Sequence, residues 1–503
     1  MTMTMTMTRL HALARRSAVG ATALVAMVGT GVWSAIPAGA AIPAGATVVG
    51  ADATACGGTT PDFTTISAAV AAASSGDTIY VCPGIYDESV VITKQLTLLG
   101  AQSGVAADDP SVRNNPSAES IIDAPVVVDG GSTTATSPIE YSTSVGGTVD
   151  GFTLEGGAGT NGQAYPGIMG LYGSGTGSFD FSDNIITGNG EGMQFFTGGT
   201  TVPTSTVSHN RFVKNNNDPA DGKSGSGIFL SNGVPNNLTI SDNYFDDNNG
   251  NGDVNTTGAG SGCASGVASG DDAVGVVIDH NVSVHDDGFE NNFAVMFCTD
   301  GAQVTNNSVT YTDANDANAD TAIYLGGGDT DLTVSQNTLA GGISAAGISL
   351  NADFYPEGTG DVISDNTISN HSNGIVVRGA NPAVAGNNYP GAGAFTISGN
   401  TITDSATDGI WIQAGSEGSI QSNTASGSGT FDCQDSTTGA GTSGTDDSWS
   451  DNTGSTSSPA GLCAAPSPQT PESPFTPALP VLAVALIGGA VWIGRRRLGK
   501  AGS

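Results

Sequence analysis

The sequence is poor in basic residues. Only 13 of its 503 residues are Lys or Arg, against 47 Asp and Glu, a formal net charge of −34. So few cations exclude a nucleic-acid binder, which needs clustered Lys and Arg to neutralise phosphates. Charged residues of both signs make up 12% and aromatics 6%. Helical bundles and coiled coils are rich in Ala, Glu, Lys, Leu and Arg, and so little Lys and Glu argues against them. There is no Gly-X-Y period, which excludes collagen. Glycine is abundant at 74 residues, and the apolar fraction of 38% is enough for a core if it is patterned.

The ends separate from the middle by composition. Residues 1–40 read as a secretory signal: Arg9, Arg15 and Arg16, an apolar stretch from Ala18 to Ile36, then the small residues Ala38-Gly39-Ala40. Residues 41–55 read as a linker. At the other end, 464–476 is a proline-rich spacer, 477–494 is an apolar run just long enough to span a bilayer, and 495–503 is a basic tail. Arg495, Arg496 and Arg497 place that tail in the cytoplasm and the bulk of the chain outside the cell. The signal, the apolar run and the basic tail hold seven of the 13 bases and no acid, so the exported part carries 47 acids, six bases and a net charge of −41.

All six cysteines lie in the exported part, where an even count implies disulfides. Six cysteines allow 15 pairings. The nearest-neighbour set is expected: Cys56–Cys82, Cys263–Cys298 and Cys433–Cys463. Each pair brackets about one repeat unit.

That repeat dominates the region 56–463. Its kernel is apolar, small or polar, any residue, Asn, any residue, apolar, as in Ile240-Ser241-Asp242-Asn243-Tyr244-Phe245 and Ile397-Ser398-Gly399-Asn400-Thr401-Ile402. The repeated asparagines are Asn184, Asn210, Asn243, Asn281, Asn307, Asn337, Asn366, Asn400, Asn423 and Asn452, spaced 23–38 residues apart. A fixed kernel at variable spacing means one structural coil with loops of varying length. A second kernel lies between them, a small residue followed by alternating apolar residues, as in Gly374-Ile375-Val376-Val377 and Gly409-Ile410-Trp411-Ile412. Its period of two and its β-branched residues make strands. No 3.6-residue stripe intervenes, so crossover helices are excluded.

Short strands without helices, one coil per repeat, give an all-β parallel β-helix. The asparagine is expected to take the left-handed turn conformation and to form a ladder of side-chain amides, one strand spacing apart. Phe152 takes the ladder position one coil before Asn184. The asparagine coils together predict a solenoid about 50 Å long.

The chain resembles secreted right-handed parallel β-helix proteins of the pectate-lyase-like superfamily. The resemblance lies in Phe63-Thr64-Thr65-Ile66, Ala68-Ala69-Val70 and Ser75-Gly76-Asp77-Thr78-Ile79-Tyr80-Val81-Cys82-Pro83-Gly84, followed by Leu96-Thr97-Leu98-Leu99-Gly100. It implies an N-terminal capping helix over an open core. It is specific for fold and weak for function, because the fold hosts lyases, hydrolases, epimerases and binders. Pectin-degrading hydrolases of this fold carry Gly-His-Gly and Arg-x-Lys, and neither occurs here. Val277-Ile278-Asp279-His280 is similar to a lyase segment, but the accompanying bases are missing.

Outward positions on the strand of the second kernel follow from its alternation. One column reads Gln194, Phe229, Met296, Tyr324, Ser349, Val376, Trp411. Its neighbour reads Phe196, Ser231, Cys298, Gly326, Asn351, Arg378, Gln413. Phe229, Tyr324 and Trp411 suit stacking on sugar rings, with Asn351, Arg378 and Gln413 for polar groups. The competing expectation is that loops bury these aromatics. Two metal sites are also candidates. His209, Asp242 and His280 precede ladder asparagines on consecutive coils. Asp247, Asn249, Asn251 and Asp253 match the start of an EF-type calcium loop, although its twelfth position is Gly258. Calcium is therefore the candidate ion.

The function expected is a membrane-anchored surface β-helix that binds a glycan or cell-wall polymer without catalysis. A polysaccharide lyase or glycoside hydrolase is the alternative, and a structural stalk or adhesin a third. The −41 charge favours neutral glycans or bound cations over an anionic polymer.

Overall fold

The computed structural model describes residues 40–466 apart from 126, 130–131, 135, 142–144, 158–165, 171–176, 197–203, 216–224, 232–236, 249–253, 258–272, 285–292, 297–298, 312–320, 327–328, 342–345, 352–358, 379–393 and 414–416. The signal at 1–40 (but for Ala40), most of the spacer, the apolar run 477–494 and the Cys263–Cys298 pair lie outside the described residues. Among the described residues no helix is long and apolar enough to cross a membrane.

Three parallel sheets run the length of the described region. The first has 14 strands, from Thr47–Val49 to Ser448–Ser450. The second has 12, from Gly84–Tyr86 to Thr424–Ser426. The third has 13, from Val90–Ile92 to Ser457–Ser458. Each full coil supplies one strand to each sheet. Thr333–Ser335, Thr338–Ala340 and Ala346–Asn351 make one coil, and Asp361–Ser364, Thr367–Ser369 and Asn373–Arg378 the next. With 14 strands at about 4.8 Å the solenoid is roughly 60 Å long. Its first strand lies inside 41–55, the expected linker.

Alternation places one side chain in two inside. Val334, Leu339, Ile348 and Leu350 are buried together, and the same positions in other coils join them in one core. Aromatics stack along the axis; Phe212 and Phe245 have ring centroids 4.9 Å apart. The small residue of the second kernel is required by close approach. A Cβ on Gly374 would lie 2.4 Å from Ile402 Cγ2 and 2.5 Å from the Gly409 carbonyl.

The asparagine column forms as expected. Each amide oxygen accepts both the backbone N–H and the side-chain N–H of the previous coil's asparagine, from Asn184 on Asn210 to Asn423 on Asn452. Phe152 donates its N–H to Asn184 at the N-terminal end of the ladder. The turn itself differs from expectation. The left-handed residue is the one before each asparagine: Asp183, His209, Asp242, His280, Asn306, Gln336, Asp365, Gly399, Ser422 and Asp451, with φ between 55° and 67°. The asparagine is thereby left free to turn inward and satisfy the buried backbone. A second, shorter ladder joins Asn189, Asn215 and Asn248 at the next corner.

The N-terminal end of the core is covered by α1 (Ile66–Ala72), as the resemblance implies. Its apolar residues Ile66, Ala69 and Val70 face inward. Thr65 caps its start, and the Glu88 carboxylate accepts the N–H groups of Ile66 and Ser67. Lys94 donates to the carbonyls of Val70, Ala71 and Ala73 at its end.

Two of the expected disulfides are formed, Cys56–Cys82 and Cys433–Cys463. The second closes a 30-residue span at the C-terminal end of the core. Reducing it is expected to cost about 3 kcal/mol. A Cys433→Ser, Cys463→Ser double variant that melts like the parent would contradict this.

Candidate functional site

The third sheet presents the aromatic column. Its register runs Gln194, Phe229, Asn255, Ala294, Tyr324, Ser349, Val376, Trp411, Gln434. This corrects the expected order: Ala294 occupies the place given to Met296, and Met296 stands in the neighbouring column between Thr257 and Gly326. The strand Val254–Thr257 gives the Asn243 coil an unforeseen place in this column, because Val254-Asn255-Thr256-Thr257 lacks the small-apolar kernel. In the neighbouring column Gly326, Asn351 and Arg378 follow one another, with Gln413 just beyond the strand.

Phe229, Tyr324 and Trp411 are half-buried on this outer face. Between Tyr324 and Trp411, Ser349 and Val376 are 0% and 1% exposed, so the face is open in patches and not as one continuous platform. Tyr324 and Trp411 lie three strand spacings apart, about 14 Å. The Trp411 indole N–H donates to Ser436 Oγ at 3.3 Å, which fixes the ring edge. Asn351 is buried and Arg378 exposed.

His209, Asp242 and His280 do fall on consecutive coils at left-handed corners. Each histidine turns to a different acid. His209 Nδ1 is 3.6 Å from Asp108, and His280 Nδ1 is 2.6 Å from Asp279. The hydrogen bond to Asp279 raises the His280 pKa. Among the described residues no three His, Cys, Asp or Glu side chains gather as a metal-binding group. Asp247 sits at a left-handed corner with Lys214 Nζ 3.9 Å away, while Asn249, Asn251 and Asp253 lie outside the described residues.

No family model matches the chain, and no curated protein matches it in sequence. Solved structures do. The catalytic unit of a thermostable GH87 α-1,3-glucanase from Streptomyces thermodiastaticus aligns at TM-score 0.54 and 15% identity, over 84% of this chain and 71% of that one. The chain is a right-handed parallel β-helix of the pectate-lyase-like fold. An alginate lyase from Paenibacillus aligns at TM-score 0.37 and 13% identity, over 71% of this chain and 91% of that one. PfbA, a surface adhesin of Streptococcus pneumoniae, aligns at 0.40 and 14%, over 73% and 86%.

This β-helix also contains paired carboxylates that sequence reasoning missed. Asp329 and Asp361 are 0% and 2% exposed. Burial raises Asp329 far above the usual range and Asp361 to about 6. Asp329 accepts the N–H groups of Thr299 and Gly326, and Asp361 that of Leu332. At the C-terminal end Asp447 is fully buried and raised to about 7 by burial and by neighbouring Asp435. Asp435 is supplied with donors by Thr437 and by the Trp449 indole. Nearer the N-terminus, burial raises Asp150 to about 7 beside Asp183. One signal was visible in the sequence: Asp361 occupies a core column otherwise held by Leu332 and Phe395. Buried as they are, Asp329, Asp361 and Asp447 offer no carboxyl to a substrate.

Proposed function

We propose that the chain is a cell-surface β-helix that binds a carbohydrate or cell-wall polymer without turning it over. The observation that carries this is the outer face of the third sheet, where Phe229, Tyr324 and Trp411 stand half-buried on a rigid scaffold. Aromatic faces stack on the apolar faces of sugar rings, and a sheet holds them at fixed spacing with little entropy to lose. The fold shared with an α-1,3-glucanase supports the carbohydrate class, by fold alone. Residues 1–40 serve as an export signal. The run 477–494 serves as a membrane anchor behind the proline-rich spacer, with 495–503 inside the cell. In a retention assay on immobilised polysaccharides, Trp411→Ala and Tyr324→Ala should each weaken binding roughly tenfold. Unchanged retention in both variants would remove the aromatic column from the reading.

One observation favours a second reading, a surface-anchored glycoside hydrolase or lyase. Asp150, raised to about 7, lies beside Asp183, and glycoside hydrolysis uses a protonated acid near a second carboxylate. Residues 101–119 lie over that corner, however. Gly104 N–H donates to Asp150, Ala107 N–H to the His209 carbonyl and Arg113 to the Asp183 carbonyl. An Asp150→Asn variant distinguishes the two, because only the enzyme reading has product formation to lose. A stalk or adhesin without a glycan ligand would show no signal on a glycan array.

A further inference from the structure

The net charge hides how the few cations are used. Among the described residues Lys94 closes the end of α1, and Arg113 is buried against Glu119. Arg211 donates to the Arg113 carbonyl at 3.2 Å, and Lys214 lies 3.9 Å from Asp247. Each of these cations has a partner within the fold. Arg378 differs. It ends the strand Asn373–Arg378, is exposed, and makes no hydrogen bond or ion pair among the described residues.

Its neighbourhood on the third sheet is uncharged. Gly326, Asn351 and Gln413 stand in its own column, and Ser349, Val376 and Trp411 in the next. On a molecule with a large excess of acids, the described residues of this stretch of outer sheet include one unpaired cation and no carboxylate. At physiological ionic strength, charges farther than about 8 Å are largely screened. A ligand touching this face therefore meets the guanidinium more strongly than the distant acids.

We propose that Arg378 is the specificity-determining residue for an anionic substituent, a carboxylate, sulfate or phosphate, on the glycan that stacks on Trp411. The inference rests on the glycan-binding reading and adds the ligand's charge to it. Trp411 lies one strand on from Arg378 and two residues back, so the two backbone positions are about 8 Å apart. A saccharide stacked on the indole can then carry its charged group to the guanidinium. Arginine's planar fork donates two parallel hydrogen bonds to a carboxylate or an oxyanion, which adds direction as well as energy. Gln413, in the same column one coil on, is placed beside the hydroxyls that flank such a substituent.

The test is retention of the full-length chain on immobilised polymers: neutral glucans, a polyuronate, a sulfated polysaccharide and a phosphodiester-linked polyol. The parent is expected to be held by at least one anionic polymer, and which arm retains it names the substituent. Arg378→Gln should weaken that binding roughly tenfold or more, while Arg378→Lys restores part of it. Trp411→Ala should weaken it as well. Suppose instead that the parent is held only by neutral glucans, with Trp411→Ala releasing it and Arg378→Gln changing nothing. The inference then falls and glycan binding stands. If no polymer retains the parent, both fall.

Discussion

Replacing Asn337 by alanine is expected to destabilise the β-helix by about 3–6 kcal/mol, the sum of several buried polar groups left without partners at about 1–3 kcal/mol each. Its amide oxygen accepts the backbone and side-chain N–H of Asn307, at 2.9 and 3.0 Å. Its amide nitrogen donates to the Val304 carbonyl at 2.8 Å and to Asn366 at 2.9 Å. Alanine removes all four contacts inside a coil from which water is excluded. Gln336, one residue earlier, is exposed at φ 60°. Glycine suits that conformation, so Gln336→Gly should change stability by less than about 1 kcal/mol. Denaturant midpoints of the two variants give the comparison directly. Equal midpoints would contradict the ladder as the element that holds successive coils in register.

The second large effect is on pH. Folding raises the pKa of Asp150 and Asp447 to about 7 and of Asp361 to about 6, and it raises Asp329, Asp183, Asp408 and Glu155 as well, in each case chiefly by burial. A carboxyl raised on folding stabilises the native state fully below its unfolded pKa. That contribution is lost as pH climbs through the folded value. Asp279 and Asp432 are lowered by hydrogen bonds, against the opposing effect of burial, and act in the other direction. So does His371, buried and lowered to about 4, which favours unfolding as pH falls below about 6.5. The raised acids outnumber these. The melting temperature is therefore expected to fall between pH 5 and pH 8, by roughly 5 °C or more.

Asp447 isolates the effect. Its Oδ1 is buried without a partner, beside an Asp435 carboxylate already supplied with donors. A proton on Asp447 supplies the hydrogen bond that is missing. Asp447→Asn supplies an amide N–H instead and does not titrate, so its melting temperature should fall less over the same range. A variant with the parent's full pH slope would show that the step comes from other groups.

Much of the architecture is legible in the sequence because it repeats. The asparagine kernel fixes each corner between the first and second sheets, and the glycine-led kernel fixes the entry to the third. What the sequence hides is hidden for physical reasons. Val254-Asn255-Thr256-Thr257 forms a strand through pairing with its neighbours, and nothing local marks it. The column order across that coil shifts with it. The ladder of Asn189, Asn215 and Asn248 is short, and at the corresponding corner His371 and Ser405 later stand in its place. The left-handed corner is a backbone property of the preceding residue, where Asp, His, Asn, Gln, Ser and Gly all serve. The aromatic column is legible as residue types, but its partial covering at Ser349 and Val376 depends on tertiary packing.

The most direct test of non-catalytic glycan binding is a polysaccharide screen of the full-length chain that scores retention and product together. Reducing ends and the ultraviolet absorbance of unsaturated sugars are read from the same wells. Retention on at least one polymer, with no product above a protein-free control, is the expected result. Product that accumulates with time and protein concentration, and is lost in Asp150→Asn, would contradict it.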